Sequence, residues 1–337
     1  MEQSQPNWNK PERVYALLDK LGISYGRIDH PPIFTAADSM LRPVQTDAMI
    51  FKNLFLRNKD KTRYYLYSLP LAERADLAAV AAALGETRLS FGDERTLQEK
   101  LGIQHGAVSF LNAVGATDTN VSVLIDSSVF DYDRIGVHPN DNTATVVLRP
   151  QDIQRILAAC DVEHRFLAPA GGDAAVLMAS AEDAVAILRL QYAAYQSEAL
   201  IYGNFSIQPL TQTLEQTAAE LQSCVVLKAV LDGRIVGSVR AHEDSGTAYV
   251  AKLMVLPGYQ NKGLGRRLLQ AIEGEFPGRR FELYTAAQSE KNLALYSKCG
   301  YTPFRAEKTA SEPSFVHLEK PAGGILSTGI EPLMPKC

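Results

Sequence analysis

The stretch VLPGYQNKGLGRRLL, residues 255–269, leaves an apolar run and places two glycines between cations just before an apolar helix. Free N–H groups and the positive end of a helix dipole favour an anion at such a helix start. Gly263 and Gly265 have no Cβ, so the backbone there is able to approach phosphate oxygens. Lys262 and Arg266 add positive charge. The stretch predicts either a phosphate-binding turn or a plain loop with a basic helix start, and by itself does not separate them.

The composition limits the class of protein. A chain of 337 residues that is 46% hydrophobic predicts two globular domains. The net charge of −4 argues against a basic nucleic-acid-binding protein, although a local basic patch would still be compatible with one. The four cysteines are far apart, which argues against zinc motifs and disulfides and favours a reducing, cytoplasmic location. The polar N-terminus and the lack of a long apolar run predict no signal peptide and no membrane contact.

The segment FLAPAGGDAA, residues 166–175, contains proline, glycine and small residues, as linkers do. It therefore divides the chain. We predict a first domain over 1–168, a linker over 169–175, a second domain over 176–320 and an irregular tail over 321–337.

Apolar spacing and turn residues predict an α+β or mixed α/β fold for both domains. In the first domain, helices and strands alternate without a regular period, which favours a mixed sheet with helices. In the second, residues 225–255 contain three strands joined by turns at Asp232-Gly233 and Ser245-Gly246. A further strand and helix follow in RFELYTAA and SEKNLALYSKCG.

The second half resembles the Gcn5-related N-acetyltransferase (GNAT) superfamily. Its acetyl-CoA signature, a strand, then Q/R-x-x-G-x-G/A, then a helix, is matched by LMVLPGYQNKGLGRRLL. The second family block, with N-x-x-x-Y and then GY, is matched by FELYTAAQSEKNLALYSKCGY. The resemblance covers roughly 175–320 and implies a GNAT fold and an acetyl-CoA-dependent N-acetyltransferase.

The resemblance also implies roles for particular residues. A strand backbone would pair with the pantetheine arm, a turn would hold the pyrophosphate, and Tyr296 would act as general acid to the leaving thiolate. The implied cofactor-binding residues are Leu253, Met254, Val255, Gln260, Asn261, Lys262, Gly263, Leu264, Gly265, Arg266 and Asn292. Without the resemblance, Tyr296 fits equally well as an aromatic residue on an amphipathic helix. Ser289 departs from the family pattern, where many members have asparagine.

Acetyl transfer needs a base for the proton of the attacking amine. Glu198, Glu243 and Glu282 are candidates, although each also fits a solvated surface carboxylate. The resemblance implies that the acceptor pocket involves YQSEALIYG, residues 195–203.

The first half resembles the bacterial YbaK/ProX family of aminoacyl-tRNA deacylases, especially the free-standing prolyl-tRNA editing proteins. The distinctive matching pieces are KNLFL and HPNDNTAT, and further segments follow in order over about 10–165. The basic run FKNLFLRNKDKTR, residues 51–63, fits either a solvated strand and turn or a local phosphate-binding patch.

The resemblance implies that Lys52 is the key polar residue, contacting the terminal adenosine of tRNA or the ester. The loop from Gly102 to Ser109 would direct N–H groups at the ester carbonyl, and water would attack with help from a ribose hydroxyl. The implied substrate-binding residues are Asn53, Gly106, Ser109, His138 and Asn140. The family commonly has Pro-Gly and Ser-Pro where this chain has His105-Gly106 and Ser109-Phe110, so the pocket's specificity or activity would differ.

His138 before a proline also fits a structural role at a strand end. His105 and His138 lack further spaced ligands, so we expect no metal. Together with the two resemblances, these observations predict a bifunctional fusion. It would hydrolyse mischarged aminoacyl-tRNA, with a proline tRNA carrying alanine or another small amino acid as the expected substrate, and acetylate a small amino acid-like amine. Two alternatives stay open. In one, the first half is a non-catalytic module that binds aminoacyl-tRNA or an amino acid. In the other, the transferase acts on an unrelated amine such as an antibiotic or a polyamine.

Overall fold

The computed structural model describes residues 10–41, 43–103, 106–113, 120–168, 172–307 and 314–322. The first half contains helices α1 (Pro11–Lys20), α2 (Ala36–Leu41), α3 (Leu77–Leu84), α4 (Glu94–Leu101) and α5 (Asp152–Ala159). Its strands are β1 (Gly26–Asp29), β2 (Met49–Asn58), β3 (Tyr64–Pro70), β4 (Leu89–Phe91), β5 (Val121–Asp126), β6 (Ile135–Val137), β7 (Ala144–Leu148) and β8 (His164–Leu167). Short 3-10 helices cover Phe110–Ala113 and Ser127–Asp131.

The first half forms a mixed sheet in the order β1-β7-β6-β2-β3-β5-β8, with β4 paired to β2. β2 and β3 form an antiparallel hairpin, whereas β6 runs parallel to β2 and β5 runs parallel to β3. Every residue of β3 and β7 is buried. These apolar runs are typical of central strands that are covered on both faces. The prediction of a mixed sheet with helices is confirmed.

Local signals account for the bounds of α3 but not for those of α5. The Asp76 side chain accepts hydrogen bonds from the amides of Ala78 and Ala79 at the start of α3, and Gly85 ends it with a φ of 72°. In contrast, α5 does not begin at the nearby proline, Pro150. Gln151 is the N-cap, so the proline precedes α5.

The second half contains α6 (Ala184–Tyr202), α7 (Gln208–Thr211), α8 (Leu214–Ser223), α9 (Leu264–Gly274) and α10 (Glu290–Lys298), with a 3-10 turn over Ala181–Asp183. Its strands are β9 (Ala175–Met178), β10 (Val225–Leu231), β11 (Arg234–Asp244), β12 (Thr247–Val255), β13 (Arg280–Ala286), β14 (Thr302–Glu307) and β15 (Phe315–Lys320). They form a sheet in the order β14-β15-β13-β12-β11-β10-β9.

The predicted meander of three strands is confirmed as β10, β11 and β12. Both of its turns have two consecutive residues with positive φ: 50° and 78° at Asp232-Gly233, and 49° and 83° at Ser245-Gly246. Such turns match the twist of paired strands, which is why Asp-Gly and Ser-Gly suit them. The meander gives the second half a rigid antiparallel base, and α9 packs against all three of its strands.

The sequence reading missed the short elements α2, α7, β4, β6, β8, β9, β14 and β15. The strands β4, β6, β8 and β9 have only three or four residues, too few side chains to show a period. β14 and β15 have six residues each, so their length does not explain why they were missed. β8 ends at Leu167 and β9 begins at Ala175, so the segment proposed as a linker lies between two strands. The proposed domain bounds stay a prediction. Most of the proposed tail, 323–337, lies outside the described residues.

Candidate functional sites in the two halves

Lys52 lies on β2, and its ammonium group is held by the backbone. Its Nζ donates to the carbonyl oxygen of Leu71 at 2.9 Å and to that of Glu73. Both carbonyls belong to the segment that leaves β3. Burial is the main cause that lowers the pKa of Lys52, and the Glu73 carboxylate opposes it. A partly desolvated cation fixed by neutral oxygens is suited to stabilising negative charge on a bound ester.

Asn53, the sequence neighbour of Lys52, points the other way. Successive side chains on a strand alternate between the two faces of the sheet. Asn53 pairs with Ser68 across the β2–β3 hairpin and accepts a hydrogen bond from its hydroxyl. Because Ser68 is buried, Asn53 is directed into the sheet packing rather than beside the Lys52 ammonium. The structure therefore does not bring these two predicted site residues together.

His138 directly follows β6, which runs parallel to β2 with Ile50 beside Gly136. Lys52 lies two residues after Ile50, and His138 lies two residues after Gly136. Lys52 and His138 are therefore at the same end of the sheet. His138 Nδ1 and the Gly106 carbonyl oxygen are 2.8 Å apart, an arrangement in which Nδ1 donates. Burial is the main cause that lowers the pKa of His138, which favours the neutral imidazole.

Gly106 occupies a position that only glycine fits. Its φ is 92°, and a Cβ there would lie 2.8 Å from both the Ile33 carbonyl oxygen and the Phe34 Cα. The carbonyl loop therefore packs tightly against the segment after β1. His105, where the chain departs from the family pattern, lies outside the described residues.

Ser109 and Asn140 are joined through Asn112, which the sequence reading missed. Ser109 is fully buried, and its hydroxyl accepts from the Leu111 amide at 3.2 Å. Asn112 Oδ1 accepts from the Ser109 amide, and its Nδ2 donates to Asn140 Oδ1 at 2.8 Å. Asn140 has a φ of 64°, and in the described part of the chain its buried Nδ2 has no hydrogen-bond partner. The free Asn140 amide is the polar group here best placed to meet a ligand.

The basic run after Lys52 lies at the far end of β2. Lys59 and Lys61 occupy the exposed turn between β2 and β3, about 20 Å from Lys52 at the usual rise per residue. Arg57 Nε donates to the Phe91 carbonyl oxygen at 3.2 Å, and Arg63 lies 4.0 Å from the Glu86 carboxylate. The lysines of the turn are therefore the part of this run that is open to a phosphate.

In the second half, the strand that precedes the quoted stretch has an open edge. β12 pairs with the parallel strand β13 only over Thr247–Tyr249 and Arg280–Glu282. Val255 and Met254 pair with β11 on the opposite side. On the β13 side, Leu253–Val255 thus have no ladder partner among the described residues. An extended amide-containing chain is able to add to such an edge.

The turn after this strand has the geometry of an anion site. Gly263 is the N-cap of α9 with a φ of 82°, and a Cβ there would meet nothing within 4 Å. The first amides of α9 have no intrahelical carbonyl to bond. Gln260, Asn261, Lys262 and Arg266 are exposed around the turn. The implied pyrophosphate residues thus surround an open helix start.

Several other implied cofactor residues are buried. Leu264 and Met254 point into the core, so only their backbone atoms are available to a ligand. Gly265 has a packing role as well, because a Cβ there would lie 3.4 Å from Leu295 Cδ2 of α10. Tyr296 is also buried, and burial is the main cause that raises its pKa.

Glu198 is the centre of a polar cluster between α6 and α10. Its carboxylate accepts hydrogen bonds from the Tyr202 hydroxyl at 2.5 Å, from the Ser289 hydroxyl and from Asn292 Nδ2 at 3.1 Å. The expectation of a solvated surface carboxylate is wrong for Glu198, which is part-buried by these donors. Ser289, the departure from the family pattern, supplies one of them. Tyr296 is close enough for the Glu198 charge to raise its pKa further.

The other two carboxylates named as bases are already paired with cations. Glu243 lies 3.1 Å from Arg279 at the exposed end of β11. Glu282 lies 2.9 Å from Arg280 and 3.6 Å from His317. Glu198 is therefore the candidate that faces the helix carrying Tyr296.

A second buried cluster, not anticipated from the sequence, surrounds Lys252. The register between β11 and β12 shifts next to Lys252, whose φ is 48°, so a β-bulge redirects its side chain. Its Nζ donates to Gln212 Oε1 and lies 3.4 Å from the Glu220 carboxylate, which also pairs with Arg240. Burial, followed by the charge of Arg240, lowers the pKa of Lys252 to about 7. Two part-buried cations thus share one carboxylate.

Known proteins match the two halves separately. A family model described as an aminoacyl-tRNA editing domain matches residues 30–156. The prolyl-tRNA editing protein ProX of Acetoanaerobium sticklandii is 35% identical over 148 residues, which are 44% of this chain and 90% of that protein. The chain belongs to the aminoacyl-tRNA editing family. Prolyl-tRNA synthetase associated domain-containing protein 1 of Danio rerio is 31% identical over 142 residues, 42% of this chain and 77% of that protein.

The second half carries a GNAT domain. The family model described as the acetyltransferase (GNAT) family matches residues 186–301. A solved structure of the PaiA N-acetyltransferase from Thermoplasma acidophilum with coenzyme A covers 44% of this chain and 99% of that protein, at 17% identity and a TM-score of 0.39. The predicted fusion of an editing domain with a GNAT domain is confirmed by the two family matches, and with it the two-domain fold class.

Two further observations concern the described residues alone. None of their helices combines the length and the hydropathy that crossing a bilayer requires. No three His, Cys, Asp or Glu side chains among them converge as a metal site would need.

Proposed function

We propose that the first half hydrolyses mischarged aminoacyl-tRNA, namely a proline tRNA carrying alanine or another small amino acid. The match over 90% of a prolyl-tRNA editing protein carries this proposal. Lys52 supports it, because its ammonium group is fixed at the end of the sheet where His138 and the Gly106 loop also lie. Lys52 would stabilise charge on the ester or bind the terminal adenosine. Water would attack the ester carbonyl, with a ribose hydroxyl of the substrate taking part, so that no protein nucleophile is required.

We propose that the second half transfers an acetyl group from acetyl-CoA to an amine. The open edge of β12 beside the free helix start at Gly263 carries this proposal, since it fits both parts of the cofactor. Leu253–Val255 would bind the pantetheine arm through the strand backbone. The turn Gln260–Arg266 would bind the pyrophosphate, with its amides and two cations compensating the negative charge.

The cofactor would supply an activated thioester, and the chain's own residues would orient the amine and move its protons. Tyr296, whose raised pKa keeps its proton at neutral pH, would donate that proton to the leaving thiolate. Glu198 would accept the amine proton, directly or through water. Asn292 would orient the Glu198 carboxylate through its hydrogen bond. A small amine of the amino acid type is the proposed acceptor, and the cytoplasm is the proposed location.

The tight carbonyl loop favours a second candidate for the first half. Gly106 packs against Ile33 and Phe34, and Ser109 is fully buried, so neither side of this loop offers much room. The half would then bind an aminoacyl-tRNA or an amino acid for the transferase without hydrolysing an ester.

A panel of aminoacyl-tRNAs, incubated with and without acetyl-CoA, separates these functions. We expect ester loss from alanyl-tRNA for proline without acetyl-CoA, and amine acetylation only when acetyl-CoA is present. Binding without ester loss would favour the module and overturn the hydrolase. If no amino acid, free or on tRNA, is acetylated while a polyamine or an antibiotic is, the proposed acceptor is wrong but the transferase stands.

The cofactor turn has its own test. Gly263→Ala forces a Cβ into a residue with a φ of 82° at the proposed phosphate site, and we expect the Kd for acetyl-CoA, measured by calorimetry, to rise about tenfold. Gly274→Ala, at the other end of the same helix and in open space, should leave the Kd within about twofold. Equal affinities for both variants would contradict the placement of the pyrophosphate.

A further inference from the structure

The start of the proposed cofactor turn is in contact with the editing half. The Ser127 hydroxyl, fully buried at the end of β5, donates to the Pro257 carbonyl oxygen at 2.8 Å. This hydrogen bond joins residues 130 positions apart in the chain. It holds the backbone just three residues before Gln260, where the proposed pyrophosphate segment begins.

The next residue is a glycine because the editing half occupies the space a side chain would need. A Cβ on Gly258 would lie 2.1 Å from Ser127 Oγ, 3.0 Å from the Phe166 carbonyl oxygen and 3.2 Å from the Ala168 amide. Its φ of 91° adds a second reason for glycine. The sequence predicted no contact for Gly258. In the structure, Gly258 packs against the ends of β5 and β8 in the editing half.

Arg234 forms a second connection at the same place. It lies at the start of β11 in the acetyltransferase half, and its Nη2 donates to the Ser127 carbonyl oxygen. Its Nε is 2.7 Å from Asp131 Oδ1, and its Nη1 is 3.4 Å from the Tyr259 hydroxyl. The guanidinium therefore contacts both the editing half and the residue that follows Gly258.

We infer that Ser127 of the editing half is a positioning residue for coenzyme A binding by the acetyltransferase half. It fixes the conformation of Pro257-Gly258, and so the direction in which the following turn presents its amides to the pyrophosphate. Without the hydroxyl, the buried Pro257 carbonyl has no donor among the residues that the structure describes, and the turn samples conformations that do not bind. Since binding-competent turns are then a smaller fraction of the population, the apparent affinity falls by that fraction. This inference rests on the proposed acetyl-CoA function.

The test is calorimetric titration of the full-length chain with coenzyme A. For Ser127→Ala we expect the Kd to rise about three- to tenfold, the effect of one buried hydrogen bond. Ser128→Ala is the matched control, since the neighbouring Ser128 hydroxyl is buried without a partner among the described residues. Its Kd should stay within about twofold of the wild-type value.

Thermal unfolding of each variant shows that the titrated protein is folded, and a double-mutant cycle separates positioning from general destabilisation. Gly258→Ala should weaken coenzyme A binding in the wild-type background and weaken it less in the Ser127→Ala background, where the closest clashing atom is gone. Additive effects, or an unchanged Kd in Ser127→Ala, would overturn the inference alone. Failure of the wild-type chain to bind coenzyme A would overturn the proposed cofactor as well.

Discussion

The environments of Lys52 and Lys252 differ although burial lowers the pKa of both lysines. The Lys52 ammonium is bonded to two backbone carbonyls at the end of the editing sheet. Lys252 lies on a strand bulge in the acetyltransferase half, beside Arg240 and one shared carboxylate from Glu220. Lys52 is hydrogen-bonded to neutral dipoles and lies near the Glu73 carboxylate. Lys252 shares one carboxylate with a second cation.

The difference shows that the surroundings of a lysine side chain determine whether it keeps its charge or titrates near neutral pH. Carbonyl dipoles hold a cation without cancelling its charge, so Lys52 is still able to stabilise an anion that arrives later. Beside Lys252, a second cation competes for the same carboxylate, and the pKa of about 7 brings it to titration near neutral pH. Lys52 is therefore expected to act as a fixed charge, and Lys252 as a group that gains and loses its proton.

The largest expected effect is on Lys52. Lys52→Ala removes the fixed cation, and we expect the rate of ester loss from mischarged tRNA to fall about 100-fold, as when a charge-stabilising donor is removed from an active site. The measurement is deacylation of alanyl-tRNA without acetyl-CoA. Lys20→Ala, at the exposed end of α1, should change the rate less than about threefold. If the Lys52→Ala variant deacylates at a rate close to that of the wild type, Lys52 has only a structural role.

A smaller effect is expected when the carboxylate beside Lys252 is neutralised. Glu220→Gln leaves two part-buried cations without a counter-charge, and we expect the free energy of unfolding to fall by about 2 kcal/mol. Urea denaturation at pH 7 measures it. Glu275→Gln, an exposed residue at the end of α9, should stay within about 0.5 kcal/mol of wild type. Equal stability of the two variants would show that the charges of the Lys252 cluster are solvated.

The smallest effect is a pH dependence. The pKa of Lys252 is about 7 in the folded chain against an ordinary 10.5, so between these values the unfolded chain binds a proton that the folded chain does not. Stability therefore rises with pH in this window, and the cost of burying the cation is fully present below pH 7. Relative to Lys252→Met, we expect the wild type to gain about 1 kcal/mol per pH unit between pH 7 and 9. Parallel curves for the two proteins would contradict the lowered pKa.

The sequence patterns predicted the longer helices, the β10–β12 meander and the family blocks, because each depends on residues close together in the chain. Asp232-Gly233 and Gly263 are examples, since the positive φ each needs is a local property. The opposite orientation of Asn53 and Lys52 was also available from the sequence, because strand alternation puts neighbours on opposite faces. The proposed roles of the site residues stay predictions that the experiments above test.

Other features had no signal in the sequence. Glu198 resembles any helix-surface glutamate, since its donors Ser289 and Asn292 lie more than 90 positions away. Lys252 is one lysine in a strand until α8 brings Glu220 against it. Asn112 has no motif of its own and is defined by its contact with Asn140.

The sequence by itself determined that an editing domain precedes a GNAT domain, and it determined the position of the glycine turn. Both follow from the sequence because turn geometry and apolar period depend on residues that are close together in the chain. The tertiary structure alone decided that Ser127 meets Pro257, that β12 has an open edge, and that two lysines acquire different charge environments. The physical reason is that burial and electrostatic neighbours depend on which distant segments pack together, and that packing follows from the whole fold rather than from any one stretch.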